Sequence, residues 1–190
     1  NYDYYSPGGQ TGKRPDRACI VYSRMIRQAF SDIPIILGGL EASLRRFAHY
    51  DYWDDRVMKS ILVDSGADLL MYGMGEHQIE EVCTRLAAGE KISDMHDVRG
   101  TCYLTEPVNT PLGAAQCPSF EQVRDSKTEY AKAVKIQYDW QDEVYGKTVI
   151  QRHGNMMLVQ NPPAYSLTTE ELDRIYALPY MRAYHPSYEA

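Results

Sequence analysis

Apolar positions along the chain alternate between short runs and one-sided stripes. Residues 33–37 (IPIIL) form a mostly apolar, β-branched run closed by Gly38 and Gly39, which predicts a buried parallel strand that stops abruptly. Residues 68–72 (DLLMY) predict a second such strand, closed by Gly73-Met74-Gly75 and followed by Glu76 at the start of a helix. Helical stripes lie between and around them. Ala18, Val21, Tyr22, Met25, Ile26 and Ala29 recur at spacings of three and four, predicting a helix capped by Asp16 and running to about Phe30 with this face inward. A second helix starts near Glu41 or Ala42, and another spans about 56–63. Ile79, Val82, Cys83, Leu86 and Ala87 mark the clearest helix, ended by Gly89. Strand and helix in alternation predict an α/β fold: a parallel sheet wound with right-handed crossovers and flanked by helices.

Further along the pattern thins. Residues 100–104 predict another strand, placed at a sheet edge, and 106–118 a Pro- and Gly-containing linker. Ser119 opens a helix to about Trp140 with Phe120, Val123, Tyr130, Val134 and Tyr138 on its buried side. Residues 148–151 and 156–160 flank His153-Gly154-Asn155 as a β-hairpin. Thr168 and Glu171 form a capping box for a short helix ended by Pro179, and the tail beyond has no periodicity. The expected organisation is an α/β domain over 1–105, the linker, and a helix, hairpin and connector over 119–190.

Composition narrows the classes. No apolar run approaches the roughly 18 residues of a membrane span. The net charge of −6 argues against a general nucleic-acid binder. Cys19, Cys83, Cys102 and Cys117 stand far apart with no CxxC or CxxxCxxC spacing, which reads as free, mostly buried thiols of a reducing cytoplasm. The first residue is Asn1 within a Gly- and Tyr-rich loop, and the chain is read as a segment of something longer. That opening loop lacks the spacing and the terminal Ser or Thr of a phosphate loop.

Candidate chemistry concentrates just past the first strand, where ligands bind in open α/β sheets. Glu41, Ser43, Arg45, Arg46, His49, Tyr50, Asp51, Tyr52 and Trp53, followed by Asp54 and Asp55, crowd charged, hydroxyl and aromatic groups there. Gly38, Gly39, Gly73 and Gly75 either permit tight turns or allow close approach of a ligand. Glu41 and Glu76 suit the positive ends of helices without any catalytic role. Arg45 and Arg46 either pair with Asp51, Asp54 or Asp55, the simpler reading, or hold an external carboxylate or phosphate. Helical spacing would put His49 and Trp53 on one face if the helix persists that far.

The segments DYYSPGG, KRPDRACIVY, IPIILGGLEASLRRFAHYDYWDD, ADLLMYGMGE, VQNPPA and LPYMRAYHPSY resemble the N-terminal region of the YgiQ-type family of uncharacterised radical S-adenosylmethionine (radical SAM) proteins. The two glycine-ended strands also look like a partial Rossmann or flavodoxin-like, cobalamin-binding domain, whose first strand–helix units would lie upstream of Asn1. The resemblance implies an accessory domain beside a C-terminal radical SAM barrel of the same chain. In the full-length protein it implies a [4Fe-4S] cluster and S-adenosylmethionine, with neither cofactor nor catalysis expected of this region alone. Its partners would be that barrel and an unknown small-molecule or macromolecular substrate. Two alternatives stay open: a non-catalytic interaction or regulatory module, and a stand-alone binder of cobalamin or a nucleotide.

Overall fold

The computed structural model describes residues 2–184 and 186, so the end of the expected connector lies outside the described residues. In chain order the elements are α1 (Ala18–Ala29), β1 (Ile36–Leu37), α2 (Gly39–Leu44), β2 (His49–Asp51), β3 (Arg56–Met58), α3 (Ile61–Ser65), β4 (Leu69–Met71) and α4 (Glu76–Ala87). There follow β5 (Thr101–Thr105), β6 (Ala115–Gln116), α5 (Phe120–Asp125), α6 (Lys127–Asp139), β7 (Val149–His153), β8 (Met156–Gln160) and α7 (Thr169–Tyr176). Six strands make one sheet in the order β1-β4-β5-β8-β7-β6, and β2 and β3 form a separate hairpin. No helix among the described residues is long and apolar enough to cross a membrane.

The fold is α/β, with helices on both faces of the sheet. The two glycine-terminated strands are adjacent and parallel, with Ile36 opposite Leu69 and Leu37 opposite Leu70. Beyond β4 the ladder turns antiparallel, and it is parallel again only between β6 and β7. The reversal follows from residues 88–100. They cross the face that α4 already covers, burying Met95 and Val98 beside Val82, and deliver β5 at the far end of β4. β5 is therefore interior rather than an edge strand, lying between β4 and β8. The hairpin expected at 148–160 is present, and both its strands belong to this same sheet.

Side chains alternate between two cores with the period of two that a pleated strand imposes. Leu37, Leu70, Cys102, Val149 and Leu158 point to one layer with α2, α3, α5 and α6, whereas Leu69, Met71, Tyr103, Ile150 and Val159 point to the other with α4. Burying each large aliphatic side chain contributes about 1.5–3 kcal/mol.

Three sequence expectations are corrected by local chemistry. The helix expected over 56–63 is strand β3 followed by α3, because the Ser60 hydroxyl caps a new helix by accepting the Leu62 N–H at 3.2 Å. The helix expected from Ser119 to Trp140 breaks at Ser126, which is extended and caps α6 through Glu129 N. The break resets the helical phase, so Ala133 is buried while Val134 and Tyr138 are exposed. In α1, Cys19, Ile20 and Ser23 face the sheet instead of Tyr22, Met25 and Ile26. Two arginines set that rotation: Arg24 donates to Asp64 O at 2.7 Å, and Arg27 to Asp68 Oδ2 at 2.6 Å.

Candidate functional site

The site begins where β1 and β4 end. Gly39 and Gly73 have φ of 81° and 71°, a left-handed backbone that favours glycine and lets both strands turn at once into helices. Gly38 and Gly75 keep ordinary backbone, and a Cβ at any of the four would meet open space. Ser43 joins the two turns. Its hydroxyl donates to Gly39 O at 2.9 Å and accepts the Gly73 N–H at 3.1 Å, so the segment after β1 and the GMGE turn share one rim. Glu41 and Glu76 sit in the first turns of α2 and α4, where the helix dipole favours a carboxylate.

Beyond α2 the backbone does not stay helical. Leu44 is the last helical residue, and His49 and Trp53 share no helix face: His49 lies on β2 and Trp53 in the turn to β3. Asp51 makes that turn, its Oδ1 accepting the N–H groups of Trp53 at 3.0 Å and Asp54 at 3.2 Å. The turn lifts Tyr52 and Trp53 outward as a stacked pair with ring centroids 4.8 Å apart, and Trp53 is 77% exposed. Alternation along β2 sends Tyr50 to the opposite side from Asp51. There its hydroxyl donates to Asp55 Oδ1 at 2.6 Å and its N–H reaches Tyr130 Oη at 3.2 Å. His49 packs inward with Nδ1 3.1 Å from Phe47 O, and burial lowers its pKa.

The two arginines take different partners. Arg45 lies 3.7 Å from Asp51, one of the expected partners, and 3.5 Å from Glu41, which was not among them. Arg46 pairs with none of the aspartates: it stacks on Tyr72 at 4.9 Å, donates to Gln160 Oε1 at 2.6 Å and bonds Ser43 O.

Asp16, Arg17, Glu41, Arg45, Asp51, Trp53 and Asp54 enclose a cleft of ≈380 Å³. Arg17, left-handed at φ 54°, bridges Asp51 Oδ2 at 3.2 Å and Asp54 Oδ2 at 2.7 Å. The Asp51 side chain is 1% exposed. Burial works to raise its pKa, but the Asp54 N–H and the Arg17 guanidinium outweigh that and hold the carboxyl below its usual range. Cys19 donates its thiol to Glu41 Oε2 at 3.0 Å, and burial together with that carboxylate pushes its pKa up to about 11. The thiol stays protonated near neutrality and is a poor nucleophile. Four carboxylates against two guanidiniums leave the cleft net negative, suited to a cationic or hydrogen-bond-donating group beneath an aromatic lip. A larger opening of ≈690 Å³ flanks the other side of the hairpin, between Tyr50, Val57 and the α5–α6 junction. Its two arginines are exposed and paired with neighbours, Arg124 with Asp125 and Arg56 with Asp54.

Arg17, Tyr130, Gln151 and Gln160 position this site and were not legible in the spacing around it. Gln151 and Gln160 did leave a signal, as amides inside otherwise apolar hairpin strands that must find partners when buried. Gln151 Oε1 accepts the Ala48 N–H at 2.8 Å, so the hairpin holds the segment at both Arg46 and Ala48.

These residues do not fit an iron–sulfur cluster. Cys102 and Cys117 are buried, with pKa values pushed up to about 12 by burial, Cys83 is exposed, and no three His, Cys, Asp or Glu side chains gather as a metal site among the described residues.

Comparison with known proteins supplies the family. The family described as "Radical SAM N-terminal" matches residues 1–190. A "UPF0313 protein" of Clostridium botulinum (strain ATCC 19397 / Type A) is 56% identical over 188 residues, covering 99% of this chain and 29% of the relative. Another from Methanocella arvoryzae is 54% identical, covering 98% of this chain and 31% of the relative. One from Clostridium perfringens (strain SM101 / Type A) is 53% identical over 98% and 28%. The chain thus spans about three tenths of the length of these relatives. No solved structure matches. With its whole length matched, the chain belongs to the radical SAM N-terminal family.

Proposed function

We propose that this chain is the accessory domain of a larger radical SAM enzyme and forms one wall of the cavity in which that enzyme holds its substrate or cofactor. One observation carries the reading. The net-negative cleft and the Tyr52–Trp53 pair stand at the carboxyl ends of β1 and β4, and around them Leu40, Leu44 and Met74 project into solvent. Exposed apolar side chains rimming a polar recess are what a surface completed by further protein looks like. A barrel of the same polypeptide seated on the rim would desolvate the cleft and strengthen its electrostatics.

In this reading a [4Fe-4S] cluster and S-adenosylmethionine are supplied by the remainder of the enzyme, following family membership, and the cluster, when bound, provides the radical chemistry. The residues here bind and orient. Asp51 and Arg17 fix the shape of the recess, Glu41 and Asp54 offer carboxylates to a ligand, and Tyr52 and Trp53 shield it from water.

Hydrogen exchange of the full-length protein with and without S-adenosylmethionine tests the proposal. Ligand-dependent slowing over residues 39–55 and 72–76 is expected. Unchanged exchange there while the cofactor is cleaved would leave a non-catalytic interaction module as the better description.

A further inference from the structure

The β2–β3 hairpin has a recess on each side. Successive residues of β2 face opposite ways, so Asp51 turns to the cleft and Tyr50 to the ≈690 Å³ groove between the hairpin and the α5–α6 junction. No residue lines both. The groove has the capacity of a small-molecule site, which is typically about 300–1,000 Å³. Its inner side is apolar: Val123 is buried, and half-buried Val57 and Tyr130 pack against the same core. Ser126, extended at the break between the two helices, and Lys127, the first residue of α6, complete that wall.

The polar groups of the groove divide into those already engaged and those left free. Both carboxylates are engaged from within. Tyr50 donates its hydroxyl to Asp55 Oδ1 at 2.6 Å, and Arg124 holds the two oxygens of Asp125 at 2.7 and 2.9 Å. Arg56 is taken by Asp54.

Two donors remain. Lys127 has no carboxylate partner among the described residues, whereas Lys132 and Lys135 farther along α6 hold Glu129 and Asp139. The Tyr130 hydroxyl accepts the Tyr50 N–H at 3.2 Å, and its own proton meets no acceptor among the described residues. Lys127 and Tyr130 are three residues apart, which makes them neighbours on one side of the helix. They stand in its first turn, where the dipole adds to the attraction for an anion. The groove therefore offers an ammonium and a hydroxyl proton beside an apolar wall, while its own acids are neutralised.

We infer that this groove binds a small organic acid. The carboxylate meets the Lys127 ammonium and the Tyr130 hydroxyl, and the apolar body lies against Val57 and Val123. The site is separate from the cleft, and its occupancy does not depend on the role proposed for the cleft.

The test uses the full-length protein with fluorotyrosine in place of Tyr130, followed by fluorine NMR as naphthoate or its uncharged amide, naphthamide, is added. A saturable shift of the fluorine resonance with naphthoate is expected. Naphthamide is expected to bind more weakly by about fivefold, and Lys127→Gln in the same labelled protein to weaken naphthoate by a similar factor. Lys127 is exposed, so this replacement leaves the fold in place. No shift with naphthoate, equal binding of acid and amide, or unchanged naphthoate binding in Lys127→Gln would each overturn the inference.

Discussion

Arg46 Nε donates to Gln160 Oε1 at 2.6 Å, joining the segment after β1 to the end of β8 across 114 residues of chain. With Arg46 in place Gln160 is 1% exposed, and its side-chain carbonyl loses its charged donor when the guanidinium is removed. Arg46→Ala is expected to cost about 2 kcal/mol, the penalty of a buried unpaired acceptor together with the lost stacking on Tyr72. Arg46→Lys recovers only part of this, since an ammonium cannot stack and donate in the same plane. Urea unfolding of the 190-residue chain measures both.

Asp51 ties Arg17 and Arg45 to the hairpin turn. Replacing it with Asn keeps an acceptor for the turn N–H groups but removes the charge, at an expected cost of about 2 kcal/mol, reduced from the buried-pair value because Arg17 is partly exposed. The pH dependence has a definite sign. A carboxylate whose folded pKa lies below its ordinary 3.8 contributes stability above that value and loses it as pH falls through the folded pKa. Asp51→Asn is expected to lose stability less steeply than the parent below pH 3.8, in acid unfolding followed by circular dichroism.

His153 loses stability in the same direction as pH falls, but in a higher window. It is buried, stacks on Phe120 at 5.8 Å, and desolvation lowers its pKa from 6.5 to about 4. Between those values the unfolded chain takes the proton and the folded chain does not, so stability falls as pH drops from 6.5 to about 4 and then levels. The loss is on the order of 3 kcal/mol. His153→Phe, which preserves the stack, is expected to flatten the stability profile across this window.

Gly39 and Gly38 separate backbone need from ligand approach. Gly39→Ala places a side chain at φ 81° and is expected to destabilise by about 1–2 kcal/mol. Gly38→Ala, in extended backbone with open space around it, is expected to change stability by less than about 0.5 kcal/mol. Thermal unfolding distinguishes the two. A Gly38→Ala protein that is stable yet no longer shows ligand-dependent protection would mark this glycine as a point of close approach.

The two glycine-ended strands and their shared rim were legible because a buried parallel strand announces itself locally, as an apolar run cut off by glycine. The antiparallel centre of the sheet was not, because it depends on how residues 88–100 cross one face, and no periodicity in that stretch records the crossing. The same limit applies to the site. Asp51, Arg45 and Trp53 stood in one crowded segment, whereas Arg17 enters from before α1 and Gln151 and Gln160 from a hairpin more than 90 residues later. The stripe on α1 was read correctly as a stripe, but its direction was set by Arg24 finding an acceptor in α3 and Arg27 one on the residue before β4.

Hydroxyl-radical footprinting of the full-length protein tests most directly whether the rim is completed by the rest of the polypeptide. Trp53 and Met74 are 77% and 64% exposed here, and Tyr145, at 80%, lies outside the cleft and serves as the internal reference. The account predicts that Trp53 and Met74 are oxidised far more slowly than their exposure here implies, while Tyr145 reacts freely. Oxidation of all three in proportion to these exposures would show the rim facing bulk solvent and would contradict it.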